Sequence, residues 1–518
     1  MPRLKLVVIA LLSGVMAALC LPRPGLCALA WIALAPLAGL CFSRTPRWSA
    51  VAGFCSGFAY HGIVLYWIYN TCRFAQVPDP SAPWLVQVVV AAGVWAILSA
   101  FLALNWSIAS GASAWVCARS PRALWPWAWA VIWTAVTVAS ERWTPRLAID
   151  LLGYTQWRYL SLLQMSAVFG PHGLGFLIAA ANAAIAAAWL ELDEREVSLA
   201  SSANLAAVTL MAAGAFVYGA WALAGRPVSA PSMRVEALQP NIDQYQKFDE
   251  TFVERINGNF IELLSRPRPE NPALIVWPES ALPYQVEDGQ AVADVAVWSK
   301  KLGAAQIVGL VSQDAAHANN YNSAFLFGAD GKFQAVYHKR ELVPFGEYVP
   351  MRFMERYISI LSQMGDLTAG EPRQALFQTP LGTVGATICY EAMFPRWANL
   401  DAGRGARLIV NVTNDGWYKD TWGPYQHFEA SVYRAIENRV GVIRAGNTGI
   451  SAIIDPWGVI TARLELGSRG RLDGSVPKED FFPDRSFYAR HGDWFGSLIL
   501  SLACFWIGLV FWRSPSAA

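Results

Sequence analysis

The sequence predicts a membrane bundle of about eight transmembrane helices joined to one α/β domain. Of 518 residues, 54% are hydrophobic and 15% are charged, whereas a soluble protein carries about 25% charged residues. The 24 tryptophans suit the lipid–water boundary, because an indole combines an apolar body with one N–H donor. The apolar residues also form long runs in the first 224 residues and at the C-terminus, with a β-rich stretch between them.

The apolar runs predict seven spans before the α/β domain and one after it. A helix needs about 20 apolar residues to cross the hydrocarbon core of a bilayer. The predicted spans cover approximately residues 6–21, 27–42, 49–69, 84–106, 124–139, 163–190, 205–224 and 494–512. Arg3 and Lys5 before the first run are typical of a signal peptide, but no clear small-residue cleavage site follows. We therefore interpret the first run as a retained helix.

The spans divide the chain into a membrane domain of residues 1–224, a globular domain of residues 225–493, and a last span with a short cytoplasmic tail in residues 494–518. Lys and Arg favour cytoplasmic loops. With a cytoplasmic N-terminus, eight basic residues lie inside and five lie outside. Seven spans then place the globular domain on the far side of the membrane.

Short β-rich runs alternate with helical stretches in the globular domain. The runs LIVWP and ARLIVNVT are apolar on both faces, which is typical of strands buried in a layered α/β core. We predict helices at approximately residues 249–264, 294–302 and 426–439, and turns at residues 330–331 and 455–458.

Three reactive residues follow apolar runs in this domain, namely Glu279, Lys339 and Cys389. Sites in α/β folds collect at the ends of strands. A thiolate that attacks a carbonyl, a carboxylate that moves the proton and an ammonium that stabilises the oxyanion together perform acyl transfer. The amide of Tyr390 would be a second donor to the oxyanion, and Glu347 would hold Lys339 or the base in place.

Each of these residues also has a structural interpretation. A cysteine at a strand end is often a packing residue, and an isolated Glu or Lys is more often a surface charge. The contexts WPE, HK and CYE within one domain favour a catalytic site over three coincidences.

Other classes of chemistry receive little support from the sequence. A net charge of +2 offers no basic field for a phosphate backbone, so we expect no nucleic-acid partner. The six histidines are scattered, with no HExxH motif and no paired cysteines, so we expect no metal. There is also no Gly-rich phosphate loop and no GxSxG elbow. We expect no cofactor.

Four motifs together resemble those of the carbon-nitrogen hydrolase (nitrilase) superfamily. They are WPES around Glu279, HKRELVPFGEYVP around Lys339 and Glu347, ICYE around Cys389, and NVTNDGW ending at Trp417. The resemblance implies an α-β-β-α sandwich with a Glu-Lys-Cys triad. Seven spans before such a domain and one after it resemble a single branch, the bacterial apolipoprotein N-acyltransferases, over essentially the whole chain.

The resemblance implies a two-step reaction at the bacterial inner membrane, with the catalytic domain facing the periplasm. A phospholipid, typically phosphatidylethanolamine, would give its sn-1 acyl chain to the enzyme as a thioester. The α-amino group of a diacylglyceryl-cysteine apolipoprotein would then take that chain, in the last step of bacterial lipoprotein maturation. The implied partners are these two substrates and the membrane, and we expect a monomer.

The resemblance also assigns roles to individual residues. Glu279 is implied as general base, Lys339 as oxyanion-stabilising cation and Cys389 as nucleophile. The implied supporting residues are Glu347, Tyr390 and Glu391, and the implied substrate-binding residues are Asn414, Asp415, Trp417 and Phe248. Two departures put lipid contacts in doubt: Phe248 stands where the family commonly has tryptophan, and LAIDLLGYTQW after Arg146 replaces the usual aromatic-proline arm.

Two other functions remain open at this point. A membrane-anchored amidase or nitrilase would use the same triad to hydrolyse a small amide, with water as the second nucleophile. A transporter would use the globular domain only to bind ligand, although the spans contain few ionisable groups to line a polar path. The apolar side chains of residues 348–367 suit either lipid contact or core packing.

Overall fold

The computed structural model describes residues 3–77, 80–144, 151–193, 197–227, 230–244, 246–247, 250–283, 289–314, 316, 319–349 and 367–513. The chain forms two compact units. The helical unit contains Met1–Arg73, Val88–Arg226 and His491–Ala518, and the α/β unit contains Phe74–Gln87 and Pro227–Arg490. Phe248 and most of the apolar stretch after Tyr348 lie outside the described residues.

Ten helices form the described part of the first 224 residues. They are α1 Arg3–Ala18, α2 Ala30–Ala33, α3 Ala35–Ser43, α4 Pro46–Val64, α5 Tyr66–Phe74, α6 Trp84–Cys117, α7 Trp125–Trp143, α8 Leu160–Leu163, α9 Ser166–Asp193 and α10 Leu199–Ala224. Helix α9 is kinked at Gly170, whose φ of 64° only glycine adopts readily, and Pro171 follows it.

The α/β unit contains two six-stranded sheets. Their strands are β1 Ser232–Gln239, β2 Leu274–Val276, β3 Ala305–Gln313, β4 Asn320–Phe327, β5 Phe333–His338, β6 Phe377–Thr379, β7 Gly382–Ile388, β8 Leu408–Thr413, β9 Gly441–Gly446, β10 Ser451–Ile454, β11 Ile460–Leu464 and β12 Gly470–Pro477. The first sheet has the order β12-β1-β2-β3-β4-β5 and the second has the order β11-β10-β9-β8-β7-β6.

Helices cover the outer faces of the two sheets. These helices are α11 Val253–Ser265, α12 Gln290–Leu302, α13 Pro395–Gly403 and α14 Gly423–Asn438, and the short α15 Phe487–His491 follows the last strand. Helix α12 packs on β3 and β4, α13 on β7 and α14 on β9, while β1 faces β9 and β10 across the sandwich. The implied α-β-β-α sandwich is therefore confirmed.

The apolar core of the first sheet lies under α11 and α12. Trp277 follows β2 and stacks on Phe260 of α11 with 4.6 Å between ring centroids. Its indole N–H donates to Gln306 Oε1 at 2.6 Å, so the buried ring leaves no unpaired donor. This packing fixes the residues that immediately precede Glu279.

The sheet topology sets the direction of the strands that precede the reactive residues. Strand β2 is parallel to β3, and two antiparallel pairings through β4 bring β5 back to the same direction. The carboxyl ends of β2 and β5 therefore lie at one edge of the first sheet. In the second sheet, β7 runs parallel to β8 and β9.

The helical membrane region predicted from the sequence is confirmed, but fewer helices than eight are long enough to be spans. In the described residues, five qualify: Trp84–Cys117, Arg122–Trp143, Ser166–Leu192, Leu199–Ala224 and Trp494–Trp512, the last within α16 Trp494–Arg513. The pair Pro46–Val64 and Tyr66–Phe74, bent by 46°, would be a sixth.

The helices at the first two predicted spans are shorter than predicted, for two structural reasons. Helix α1 has 16 residues and is therefore about 24 Å long, which is less than the roughly 30 Å of hydrocarbon. The next apolar stretch divides into short helices, because α2 ends at Ala33 and Pro36 cannot donate a backbone hydrogen bond to continue it.

Candidate active site

Glu279 lies at the end of β2, where the chain still follows the neighbouring strand. The amides of Trp277 and Ala281 donate to the carbonyls of Ile307 and Gly309 of β3 at 2.8 and 2.7 Å. A Cβ at Gly309 would lie 2.4 Å from the carbonyl oxygen of Pro278 and 2.7 Å from the Cα of Glu279. Glycine is therefore required for this close approach of Glu279 to the sheet.

Lys339 lies immediately after β5 and contacts both nearby carboxylates. Its Nζ donates to Glu347 Oε1 at 2.7 Å and lies 3.5 Å from Glu279 Oε1. The side chain is 1% exposed. Burial would lower the pKa of Lys339, but Glu347 first and Glu279 next outweigh burial and raise this pKa above its ordinary value. The residue is therefore a buried ammonium held between two carboxylates.

Asn322 of β4 connects the same two carboxylates. Its Nδ2 donates to Glu279 Oε1 at 2.7 Å and to Glu347 Oε1 at 3.0 Å. Glu347 Oε2 also accepts the amide of Val343 at 2.8 Å, which closes the loop after β5 around the carboxylate. Asn322 was not predicted from the sequence.

Cys389 follows β7 and begins a short 3₁₀ helix that extends to Met393. It is buried, and its φ of 51° is uncommon for a residue other than glycine. Burial and the charge of Glu279 raise the pKa of the Cys389 thiol to about 12, although Lys339 acts in the opposite direction. The thiol is therefore protonated at neutral pH, and its proton must be removed for it to act as a nucleophile.

Glu391 links the segment after Lys339 to the turn that carries Cys389. Its Oε1 accepts the amides of Arg340 and Glu341, the latter at 3.0 Å. Its Oε2 accepts the Tyr337 hydroxyl at 2.7 Å and the amide of Ile388 at 2.6 Å. Burial raises the pKa of Glu391 to about 7, even though its hydrogen-bond donors favour the ionised form.

Tyr390 is buried next to Cys389 in the chain, and its ring packs edge-on against Phe394 with 4.8 Å between centroids. Burial raises the pKa of its phenol above the ordinary value, so the hydroxyl stays neutral. The role of the Tyr390 amide as a donor to the oxyanion stays a prediction.

The predicted substrate-binding residues lie in different environments. Asn414 is buried and donates to Gln244 Oε1, while its Oδ1 accepts from Asn447 at 3.0 Å. Asp415 is buried as well, whereas Trp417 is 45% exposed. Phe248 lies outside the described residues. Contact of these four residues with substrate stays a prediction.

Lys247 is a buried cation that was not predicted from the sequence. Its Nζ donates to the backbone carbonyl of Glu279 at 2.6 Å. Burial lowers the pKa of Lys247 to about 8, against the opposing effects of Glu279 and Cys389. In the segment LQPNIDQYQKF, Phe248 departs from the family pattern. Nothing in the sequence distinguishes the neighbouring Lys247 from a solvated surface lysine.

A second buried cluster contacts the backbone of Cys389 and consists of His427, Asp415 and Arg444. His427 contacts the carbonyl oxygen of Cys389 and Asp415 Oδ1, and Arg444 Nη2 donates to Asp415 Oδ2 at 2.8 Å. Of these three, only Asp415 was singled out from the sequence, because His427 belongs to no metal motif. Among the described residues, no group of three or more His, Cys, Asp and Glu side chains is arranged to hold a metal ion.

Two protein families match this chain. The carbon-nitrogen hydrolase family matches residues 237–480, and the apolipoprotein N-acyltransferase N-terminal domain matches residues 13–184. Among solved structures, the chain is similar to Nit3 of Saccharomyces cerevisiae, a member of the nitrilase superfamily. That match has 20% identity, a TM-score of 0.38, and covers 48% of this chain and 91% of that one.

Relatives with a shared name match nearly the whole chain. The apolipoprotein N-acyltransferase of Geobacter metallireducens is 33% identical over 97% of this chain and 95% of its own length. That of Methylococcus capsulatus is 30% identical over 95% of this chain and 93% of its own length. The chain therefore belongs to the apolipoprotein N-acyltransferase family, and it is an acyltransferase with a carbon-nitrogen hydrolase domain.

Proposed function

We propose that this enzyme transfers the sn-1 acyl chain of a phospholipid, typically phosphatidylethanolamine, to the α-amino group of a diacylglyceryl-cysteine apolipoprotein. The acyl chain passes through a thioester on Cys389. The observation that supports this most strongly is the position of Lys339 Nζ, 2.7 Å from Glu347 Oε1 and 3.5 Å from Glu279 Oε1, in a site whose charges act on the Cys389 thiol. One base, one cation and one nucleophile are the groups that acyl transfer needs.

The first half-reaction acylates the enzyme. Glu279 takes the proton of the Cys389 thiol while Sγ attacks the ester carbonyl, and the Lys339 ammonium stabilises the resulting oxyanion with help from the Tyr390 amide. The tetrahedral intermediate then collapses: the thioester C–S bond remains and the ester C–O bond breaks. Glu279 returns the proton to the departing oxygen, which releases a lysophospholipid.

The thiol pKa explains why the base acts during the attack. A pKa of about 12 lies about five units above neutral pH, so a free thiolate costs roughly 7 kcal/mol at pH 7. Proton transfer to Glu279 in step with the attack avoids this cost, because the charge moves from the carboxylate to the oxyanion beside Lys339. Lys339 is well suited to this role since it remains an ammonium in the buried site.

The second half-reaction transfers the chain to the acceptor. The α-amino group attacks the thioester carbonyl, and Glu279 takes one of its protons. The C–S bond breaks, the proton passes to Sγ, and the product is an amide. Glu347 and Asn322 keep Glu279 and Lys339 in place during both half-reactions.

The apolar helices support a membrane location for this chemistry. Removing an acyl chain from lipid costs about 0.8 kcal/mol per CH₂, so a soluble enzyme would face a cost on the order of 12 kcal/mol for a 16-carbon chain. We place the enzyme in the bacterial inner membrane as a monomer, with residues 225–493 on the periplasmic side between membrane segments 1–224 and 494–518. Both substrates then remain anchored in the bilayer.

The test follows a labelled acyl chain. Purified full-length enzyme is incubated with phosphatidylethanolamine labelled in the sn-1 chain and with a diacylglyceryl-cysteine peptide, and the peptide is analysed by mass spectrometry. We expect labelled amide from the wild type and from Cys504→Ala, a control at an exposed cysteine of α16, and none from Cys389→Ala. Labelled free fatty acid without amide would overturn the proposal in favour of a membrane-anchored hydrolase. Amide that carries no label from sn-1-labelled lipid, but carries it when the sn-2 chain is labelled instead, would overturn the assigned position.

A further inference from the structure

The two ring nitrogens of His427 both face oxygen atoms. His427 lies in α14 and its side chain is fully buried. Its Nδ1 lies 2.8 Å from Asp415 Oδ1, and its Nε2 lies 2.7 Å from the carbonyl oxygen of Cys389. Both distances are those of well-formed hydrogen bonds. The donors in these two bonds determine the charge of the ring.

Neither oxygen partner can supply the proton. A backbone carbonyl oxygen only accepts hydrogen bonds, so Nε2 must carry a proton. Asp415 is ionised: burial would raise its pKa, but the guanidinium of Arg444, which donates to Asp415 Oδ2 at 2.8 Å, lowers it, and Asp415 Oδ1 already accepts the Thr413 hydroxyl at 3.3 Å. An ionised carboxylate also only accepts, so Nδ1 must carry a proton as well. A neutral imidazole has one N–H and would leave two lone pairs facing each other.

We propose that His427 is a positioning residue whose ring is an imidazolium and whose Nε2–H holds the carbonyl of Cys389, fixing the turn that presents the nucleophile. The inference rests on the proposed function only in treating Cys389 as that nucleophile.

The conformation of Cys389 shows why such a hydrogen bond is needed. A non-glycine residue with a φ of 51° is strained and persists only where surrounding contacts hold it. Among the described residues, two side chains donate to the Cys389 carbonyl: His427 Nε2 at 2.7 Å and Asn411 Nδ2 at 3.4 Å. The shorter bond, and the charged one in this proposal, comes from His427, and bonds from charged donors are roughly twice as strong as neutral ones.

The charge on His427 also affects the thiol. After burial and Glu279, the charge of Asp415 also raises the pKa of the Cys389 thiol, and an imidazolium at His427, 2.8 Å from Asp415 Oδ1, opposes that charge. A nearby cation stabilises a thiolate, and one pKa unit corresponds to a tenfold change in the thiolate fraction. His427 therefore fixes the geometry of the turn and also favours the charge that develops on Sγ.

The protonation state is tested directly by nitrogen NMR. Full-length enzyme labelled with ¹⁵N-histidine is studied in detergent at pH 8, where a free imidazole with a pKa of about 6.5 is almost entirely neutral. The signals of His427 are assigned by their loss in His427→Gln. We expect both of its ring nitrogens to be protonated. A signal typical of a bare ring nitrogen at His427 would overturn the proposal.

The effect on the nucleophile is tested by alkylation. His427→Gln keeps a neutral amide that can donate to the Cys389 carbonyl but removes the charge, and His491→Gln at an exposed histidine is the matched control. We expect iodoacetamide to modify Cys389 at pH 8 about tenfold more slowly or worse in His427→Gln, and at the wild-type rate in His491→Gln. An equal rate in a folded His427→Gln would overturn the electrostatic part of the proposal.

The two measurements separate this inference from the proposed function. If His427→Gln does not fold, variants that each replace one of the other histidines assign those signals. The remaining wild-type signals then belong to His427 and still decide its protonation state. Two protonated nitrogens in an enzyme that forms no amide would contradict the proposed function alone. A bare nitrogen in an enzyme that forms amide would contradict this inference alone.

Discussion

Asn322 tests how the two carboxylates of the proposed active site, Glu279 and Glu347, are held. Its Nδ2 uses one hydrogen for Glu279 Oε1 at 2.7 Å and the other for Glu347 Oε1 at 3.0 Å. Asn322→Leu has a similar volume and removes both donors without adding a charge. In the variant, Glu279 keeps its contact with Lys339 at 3.5 Å but loses its shortest side-chain hydrogen bond.

The size of the effect follows from the bond to Glu279. A hydrogen bond to a charged group contributes about 1.5–3 kcal/mol. If this bond orients the base in the transition state, its loss lowers kcat/KM by about 10- to 150-fold. The loss of the second bond lets Glu347 and Lys339 move as well, so the upper part of this range is expected.

The assay measures kcat/KM for transfer to a diacylglyceryl peptide, with thermal unfolding as a check on folding. Asn320→Leu is the matched control. Asn320 lies two residues earlier on β4, and its Oδ1 accepts a hydrogen bond from Gln313. We expect near wild-type activity from this control. A folded Asn322→Leu enzyme within about threefold of the wild type would refute the view that Asn322 orients the base.

Three further changes have expected outcomes. Lys339→Arg should lower kcat by on the order of 100-fold, because a planar guanidinium cannot replace a compact ammonium between two carboxylates; full activity in steady-state kinetics would contradict the oxyanion role. Glu391→Gln should lower the free energy of unfolding by about 2–6 kcal/mol in denaturant titrations, because one amide oxygen cannot accept the four donors that Glu391 accepts, and an unchanged midpoint would contradict this. Asp415 has a pKa of about 2 when folded and an ordinary value of 3.8, so its ionised form stabilises the fold above about pH 4. This contribution, about 2 kcal/mol, is lost as the pH falls to 2. In Asp415→Asn, the free energy of unfolding should lack this decrease between pH 4 and pH 2.

The positions of the three proposed catalytic residues at strand ends could be predicted from the sequence because these strands have a strong pattern. LIVWP and VGATICYE are buried runs that end in a reactive side chain, and the first of them ends at the same edge of its sheet as β5. Glu279, Lys339 and Cys389 were predicted from these contexts, and the resemblance of four motifs implies the same three residues. The pattern alone did not fix which of the charged residues would meet.

The residues that support the triad could not be predicted because they come from distant parts of the chain. Asn322 lies within β4 and Lys247 in the segment before α11, and neither stands at the end of a buried run. Lys247 is hydrogen-bonded to a backbone carbonyl, a partner that side-chain patterns do not reveal. His427 was judged only as a metal ligand, whereas its partners are a carboxylate and a carbonyl.

Hydropathy predicts apolar character and not helix continuity, so the helices in the described residues do not follow every predicted span. The stretch from Cys27 to Ser43 is apolar throughout, yet it forms three short helical pieces. The first run is continuous but forms a helix of only 16 residues. Helix α13 at Pro395–Gly403 was missed because its sequence PRWANLDAG has weak apolar periodicity.

The intact mass of the enzyme after incubation with phosphatidylethanolamine alone shows whether an acyl-enzyme forms. We predict a mass increase of one acyl chain located on Cys389. This adduct should be removed by hydroxylamine, be absent in Cys389→Ala, and be discharged as an amide when a diacylglyceryl peptide is added. An adduct that never forms, that forms equally in Cys389→Ala, or that is lost only to water would contradict the proposed acyl-enzyme.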